Sequence, residues 1–250
     1  MTDQKIKAEQ FRALHVPGAP LVLLNIWDSG SARALASANP RALATSSWAV
    51  AAAHGLEDGE KLPLDLAIAN LRRIVAVTDL PVSMDIESGY DHPAHTVEQT
   101  IEAGAIGCNM EDSVPLDGTL RTASEQASRI REARRAADAA GIPYFINART
   151  DVFLQQRGSA SDALLRSVID RAHIYADAGA DGLFVPGLAD MDDIAELVAA
   201  SPLPVNVMLG ASSPKPDAFA QAGVARVSYG PAPYLLAMNA IRNATELSGG

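Results

Sequence analysis

The 250-residue chain has a single cysteine, Cys108. One thiol excludes an internal disulfide and any multi-cysteine metal or iron–sulfur centre. Aromatic residues are 5% of the chain, and Lys+Arg (20) fall short of Asp+Glu (30), a formal charge of −10. That balance repels phosphate backbones and anionic membrane surfaces. No apolar run approaches the roughly 20 residues that span a bilayer, and Met1 to Gln10 lacks the apolar stretch of a secretory signal. The expectation is a soluble, cytoplasmic protein with neither nucleic acid nor membrane as partner. What is present is 48% hydrophobic residues at a mean hydropathy near zero, the composition of a packed core.

Short apolar runs alternate with longer stretches rich in Ala, Leu, Glu and Arg, the pattern of strands alternating with helices. Strands are predicted at Leu21 to Trp27, Ala42 to Trp48, Val82 to Glu87, Ala105 to Glu111, Tyr144 to Arg149, Gly182 to Pro186, Val205 to Leu209 and Ala225 to Tyr229. Helices are predicted at Asp65 to Val77, Thr96 to Ala103, Ser124 to Ala140, Ser161 to Ala178, Asp192 to Ala199 and Pro214 to Gln221, each able to cross back over a parallel sheet. The phrases Glu102-Ala-Gly-Ala105, Ala140-Gly-Ile-Pro143, Asp177-Ala-Gly-Ala-Asp181 and Gln221-Ala-Gly-Val224 repeat a glycine where a helix stops and a strand begins. No linker divides the chain. Residues 1–250 therefore read as one α/β domain, a (β/α)8 barrel. A doubly wound sheet would more often carry a glycine-rich phosphate turn after its first strand, and that turn here is Asp28-Ser-Gly-Ser31.

In such a barrel chemistry collects where the strands end. The predicted strands end in Trp27-Asp28, Ser46-Ser-Trp48, Asp85-Ile-Glu87, Asn109-Met-Glu111-Asp112 and Asn147-Ala-Arg149-Thr-Asp151. The two-residue period of a strand puts Asp85 with Glu87, Asn109 with Glu111, and Asn147 with Arg149 on shared faces. Carboxylates converging on one cleft repel unless a cation neutralises them. Oxygen-only ligands favour a hard ion, Mg²⁺ over Ca²⁺. The fixed fork of Arg149 suits a carboxylate or phosphonate of a substrate. Asp151 is equally explained as a cap or as a partner of Arg149.

These landmarks, with Thr45-Ser-Ser-Trp-Ala49, Gly55-Leu-Glu-Asp58-Gly, Pro81-Val-Ser-Met-Asp85-Ile-Glu87-Ser-Gly-Tyr90, Gly107-Cys-Asn-Met-Glu111-Asp112-Ser, Ile146-Asn-Ala-Arg149-Thr-Asp151, Phe184-Val-Pro-Gly187 and Pro204-Val-Asn-Val-Met208, run through most of the chain. In this order and spacing the sequence resembles the isocitrate lyase and phosphoenolpyruvate mutase superfamily, above all its phosphoenolpyruvate mutase-like subgroup. The resemblance implies Asp85 as direct Mg²⁺ ligand, Glu87 and Glu111 as acids holding the metal largely through water, and Asp58 as an acid at the metal and substrate edge. It implies that Ser46, Ser47 and Trp48 grip a substrate carboxylate and that Arg149 binds the anionic substrate and its developing enolate. Relatives of this kind break a C–C or P–C bond beside a 2-oxo acid, and usually assemble as tetramers with an exchanged C-terminal helix. A homo-oligomer, tetramer or dimer, is thus expected.

The C–C lyases of this superfamily carry a Lys-Lys/Arg-Cys-Gly-His motif after the fourth strand. The segment here, Ser113-Val-Pro-Leu-Asp-Gly-Thr-Leu-Arg121, has no cysteine, histidine or lysine, which disfavours cleavage of isocitrate and methylisocitrate. Cys108 lies three residues before Glu111, on the opposite strand face, and reads as a structural thiol. A mutase would use Asp58 as phosphoryl acceptor, yet Thr119 stands where an asparagine would, and Phe184-Val-Pro-Gly187 offers no histidine. The reading that follows is a Mg²⁺-dependent lyase or hydrolase of a small anionic 2-oxo acid, acting through an enolpyruvate-like intermediate. Its alternatives are a phosphoenolpyruvate phosphonomutase and a catalytically inactive dicarboxylate-binding barrel. Among other features, His92 and His95 read as the start of a helix, His54 and Tyr90 as a pair beside the cavity able to trade protons, Arg129 to Arg135 as a solvated helix face, and Tyr234 to Met238 as core or oligomer contact.

Overall fold

Local chemistry sets the elements of the chain, which a computed structural model describes over residues 2–155, 162–210 and 213–247. The order is α1 (Thr2–Ala13), β1 (Leu21–Leu23), β2 (Asn25–Ile26), α2 (Ser29–Ala36), β3 (Leu43–Thr45), α3 (Ser47–Ala53), α4 (Leu64–Val75), β4 (Val82–Asp85), α5 (Pro93–Glu102) and β5 (Gly107–Glu111). It continues with α6 (Ala123–Ala139), β6 (Phe145–Arg149), α7 (Val152–Gln155), α8 (Asp162–Asp177), β7 (Gly182–Val185), α9 (Met191–Ala200), β8 (Val205–Met208), α10 (Pro216–Gln221), β9 (Arg226–Ser228) and α11 (Ala232–Leu247). Helix starts carry their own signals: the Asp28 carboxylate accepts from the Ser31 amide at 2.7 Å, and Thr122 with Glu125 forms a capping box on α6.

All strand pairings are parallel, in the order β1-β9-β8-β7-β6-β5-β4-β3-β2. β1 pairs with β9 and β2 with β3, so these two short strands are halves of one stave interrupted at Leu24. The result is the (β/α)8 barrel expected, with helices outside and every strand end on one rim.

The barrel interior is more polar than the Val, Ile and Leu layers usual in this architecture. Asn147 Nδ2 donates to Asn109 Oδ1 (2.9 Å) and Asn206 Oδ1 (3.1 Å) across the axis. Gly182 makes room for this: a Cβ there would lie 2.7 Å from Asn147 Oδ1. The amino end is closed by α1 and the residues after it. Phe11 meets Phe145 edge-on at 5.5 Å, His15 stacks on Phe145 at 4.0 Å, and Gln4 Nε2 donates to the carbonyls of Ile101 and Ala105.

Three expectations change. The predicted strand Ala42 to Trp48 stops at Thr45, because Ser46 turns into an N-cap, its hydroxyl accepting from the Ala49 amide at 3.4 Å, and α3 starts at Ser47. The Arg129 to Arg135 segment is not simply a solvated face. Arg131 and Arg135 are exposed, whereas Arg129 donates to the carbonyls of Ser88 (3.0 Å) and Tyr90 and Arg134 to Asp181 and the Tyr144 carbonyl. Helices α1, α2, α3 and α7 were not among the predicted helices, and a C-terminal helix, α11, was expected only from the resemblance. On α11 Tyr234 packs edge-on against Trp27 and Trp48, while Leu236 and Ile241 are exposed. The first residue of the predicted helix Ser161 to Ala178 lies outside the described residues. Among the described residues no helix is long and apolar enough to cross a membrane.

Candidate active site

The strand ends enclose a cavity of about 230 Å³, smaller than the roughly 300–1,000 Å³ of pockets for drug-sized ligands. One half is polar: Ser46 and Ser47 from the β3–α3 turn, Asp58 from the α3–α4 loop, Asp85 from β4, Asn109 from β5 and Arg149 from β6. The other half is largely apolar, with Leu154 of α7, Phe184 from β7, Pro186 just after it, Met208 from β8 and Pro231 after β9; Trp48 also lines it.

Asp85 is the best-held carboxylate of the polar half. Its Oδ2 accepts from the amide (3.2 Å) and hydroxyl (3.0 Å) of Ser47, and its own amide donates to Thr45 Oγ1 at 2.9 Å. The β3–α3 turn, expected to grip a substrate carboxylate, orients Asp85 in this structure. Asp58 stands at the mouth. Desolvation, then the neighbouring Asp85 charge, raises its pKa above the usual carboxylate range.

Glu87 and Glu111 do not line the cavity; each sits one step behind it. Glu87 Oε2 accepts from the amides of Gly59 (2.7 Å) and Glu60, and burial, then the Asp58 charge, pushes its pKa up to about 8. Glu111 Oε2 lies 2.8 Å from Arg149 Nη1. Burial raises the Glu111 pKa, opposed by the Arg149 charge. Arg149 Nε and Nη2 donate to the two oxygens of Asp151 at 2.6 and 3.1 Å, so Asp151 is a bidentate partner of Arg149. Against desolvation, Glu111 and Asp151 hold the guanidinium firmly protonated.

Beneath them Asp112, with no exposed surface, accepts from Arg171 (3.0 Å), the Tyr175 hydroxyl (2.8 Å) and the Asp151 amide (2.9 Å). This support was not anticipated, because its partners lie in α8, far away in sequence. Phe184, Met208 and Ser228 also line the cavity. Their position at strand ends, on the alternation that selected Asp85 and Arg149, is the signal that marks them.

The fit to a divalent cation follows from the donor set. Asp58 and Asp85 face one space, both oxygen donors, with Glu87 behind them, its pKa raised by burial and by the Asp58 charge. Such crowding is what a hard cation relieves. Among the described residues no group of three or more acidic, histidine or cysteine side chains forms a ready-made cage.

The other candidates fall away from the cavity. Exposed His54 caps the end of α3 with Nδ1 2.9 Å from the Val50 carbonyl, and the Tyr90 hydroxyl donates to the Leu62 carbonyl at 3.1 Å, so the two do not face each other. His92 is the residue before α5, and His95 is exposed beside Glu98. Cys108 has no exposed surface, and burial pushes its thiol up to about 12. The segment after β5 folds back on itself through a Ser113–Leu120 bridge, leaving Leu116 89% exposed and bringing no acid to the cavity.

With this geometry in place, the chain matches the family model described as phosphoenolpyruvate phosphomutase over residues 11–247. The chain belongs to the phosphoenolpyruvate phosphomutase family. A crystal structure from Burkholderia cenocepacia J2315, provisionally described as a phosphonomutase, is 52% identical with a TM-score of 0.96, over 98% of this chain and 100% of that one. An uncharacterized protein of Mycobacterium tuberculosis (strain ATCC 25618 / H37Rv) is 36% identical over 94% of this chain and 87% of its own length. The 2-methylisocitrate lyase of Escherichia coli (strain K12) is 30% identical over 78% of this chain and 67% of its own length. The family so placed holds lyases and mutases, consistent with an enzyme built around this rim.

Proposed function

We propose that the chain is a Mg²⁺-dependent enzyme that cleaves a C–C or P–C bond at the carbon next to the carbonyl of a small 2-oxo acid, leaving that bond's electrons in an enolpyruvate-like product. The observation that carries this reading is the placement of Asp58 and Asp85 with Arg149 around one small cavity. Mg²⁺, when bound, would draw electron density from the 2-oxo group. Asp85 would hold it, with Asp58, Glu87 and Glu111 reached through water. The turn at Ser46, Ser47 and Trp48 binds the substrate carboxylate. Arg149, already oriented by Glu111 and Asp151, stabilises the oxygen on which negative charge develops, at no cost of reorientation. The wall of Leu154, Phe184, Pro186, Met208 and Pro231 keeps water from the reacting bond.

The folded-back segment Ser113 to Arg121 brings no acid to the cavity, its exposed Asp117 pairing with Thr119 instead, which favours a leaving group that needs no proton. Decarboxylation of an oxaloacetate-like acid meets that condition, since carbon dioxide departs as a neutral molecule. A second reading, hydrolysis or transfer at phosphorus of a phosphonopyruvate-like acid, is supported by Asp58 at the mouth as acceptor. A homo-oligomer, dimer or tetramer, in which α11 is exchanged, is supported by the exposed Leu235, Leu236 and Ile241 on that helix.

The test is pyruvate release from oxaloacetate and from phosphonopyruvate in parallel, with Mg²⁺ and then with excess EDTA, scoring phosphate as well. Metal-dependent pyruvate without phosphate establishes the decarboxylase, and with phosphate the second reading. Undiminished turnover in EDTA contradicts the metal role.

A further inference from the structure

Four non-glycine residues of the described chain adopt positive φ, and three of them meet at one contact: Glu60 (59°), Glu87 (53°) and Tyr90 (54°). Side chains other than glycine rarely adopt this conformation, and it persists where surrounding contacts impose it. Here the contacts are reciprocal. Glu87, from the loop after β4, accepts the amides of Gly59 and Glu60. Glu60, from the loop carrying Asp58, sends its carboxylate back: Oε1 accepts from the Ser88 hydroxyl at 2.7 Å and the Tyr90 amide at 2.8 Å.

The clasp continues round the rim. Ser88 Oγ also accepts from Arg121 Nη2 at 3.3 Å, and Arg121 Nη1 donates to the Ser113 carbonyl at 2.5 Å. The Ser113 hydroxyl donates to Asp151 Oδ2 at 2.6 Å, and Asp151 holds Arg149. An unbroken chain of contacts, Glu60–Ser88–Arg121–Ser113–Asp151, thus runs from the loop that bears Asp58 to the partner of Arg149. The loops it ties follow α3, β4, β5 and β6.

We propose that Glu60 is a positioning residue: its carboxylate, docked on Ser88 and Tyr90, fixes Asp58 at the cavity and joins that wall to the one that orients Arg149. Glu60 touches neither the cavity nor Arg149, so it acts through Asp58 and through Ser88. The proposal rests on the reading of Asp58 as a working residue of the cavity, but its geometric half does not depend on any reaction.

The test pairs Glu60→Ala, which removes the acceptor, with Glu60→Gln, which keeps an acceptor oxygen for Ser88 and Tyr90. The first readout is amide hydrogen exchange in the metal-free protein, over peptides covering residues 56–62 and 87–92. Exchange at least about tenfold faster in E60A, with E60Q close to the parent, is expected; unchanged exchange in E60A overturns the clasp. The second readout is turnover of whichever 2-oxo acid the parent cleaves. In the parent background E60A lowers kcat about tenfold with little change in KM and E60Q restores it, while in an Asp58→Ala background E60A has no further effect. An equal loss in both backgrounds overturns the route through Asp58. Ser88→Ala, a smaller change on the same chain, loosens the same two peptides less than E60A does; no loosening at all removes Ser88 from the chain. If no substrate is cleaved by the parent, the proposed function fails while the exchange readout still decides the clasp.

Discussion

At the carboxyl end of the barrel Asp58, Asp85, Glu111 and Asp151 gather around Arg149, whereas at the amino end Arg226 is wholly buried and makes no salt bridge among the described residues. The Arg226 Nε donates to Ser228 Oγ at 3.3 Å, and Nη1 and Nη2 have no hydrogen-bond partner among the described residues. Desolvation lowers its pKa to about 10, opposed by the charge of Asp85. Beside it His15 is held neutral, its pKa pushed down to about 3 by burial and then by Arg226. Both ends carry unbalanced charge, but they are built differently. The amino end packs the Phe11, His15 and Phe145 rings against one another, closing the barrel. The carboxyl end leaves its charge facing a cavity, where a cation and an anionic substrate relieve it. Stability and chemistry are thus assigned to opposite ends, as expected where a working site is kept at some cost to the fold.

If that division is right, substitutions at the two ends separate cleanly. The largest effect is expected from Asp85→Ala: turnover falls on the order of a thousandfold or more, because a metal contributes several kcal/mol of transition-state stabilisation. The metal-free Tm stays the same or rises, since one crowded carboxylate has gone. Pyruvate assays and thermal unfolding check the pair of outcomes, and a large fall in Tm would break the division. Next, Phe145→Ala costs about 3–5 kcal/mol of stability in denaturant titrations, with kcat of the folded protein within about twofold of the parent. Arg149→Lys lowers kcat about a hundredfold, because an ammonium lacks the planar fork that Glu111 and Asp151 orient, and its Tm moves little.

The smallest effects are in pH, and their signs are opposite. The His15 pKa is depressed on folding, so the unfolded chain binds more protons between about pH 6.5 and 3, and stability falls as pH falls through that window. At pH 5 the loss is about 2 kcal/mol, and His15→Phe removes it. The Glu87 pKa is raised on folding, so the folded chain keeps the extra proton between 4.5 and about 8. Stability from this group is therefore present at low pH and lost as pH rises through about 8. The effect is similar in size to that of His15, disappears in Glu87→Gln, and shrinks when Mg²⁺ is added. Denaturant midpoints from pH 5 to 9, with and without Mg²⁺, measure both; two slopes of one sign would contradict the comparison.

Much of this is legible in the chain before its structure is known. Alternation of apolar runs with amphipathic stretches placed all eight staves, and period two put Asp85 and Arg149 at the rim. The strand at Ala42 was extended too far because Thr45, Ser46 and Ser47 suit a strand end as readily as a helix start, and only the hydroxyl of Ser46 meeting the Ala49 amide shows the turn. Helix α1 was missed because its sequence is mostly polar and buries little beyond Ala8 and Phe11. The acids Glu87 and Glu111 were recognisable as rim residues, yet their partners, the amides of Gly59 and Glu60 and the guanidinium of Arg149, lie 28, 27 and 38 residues away in sequence. Long-range pairing of this kind also hid Glu60, Arg121 and Arg171. No local pattern encodes it, because it arises only when separate βα loops meet at the rim.

The most direct test of the account is the affinity of oxalate, two joined carboxylates with the planarity of an enolate beside a carboxylate, measured by titration calorimetry with Mg²⁺ and with EDTA. The account predicts binding that requires Mg²⁺, is lost in Asp85→Ala, weakens at least about tenfold in Arg149→Lys, and is unchanged in Phe145→Ala. Oxalate binding of equal strength in EDTA, or binding indifferent to Arg149, would contradict it.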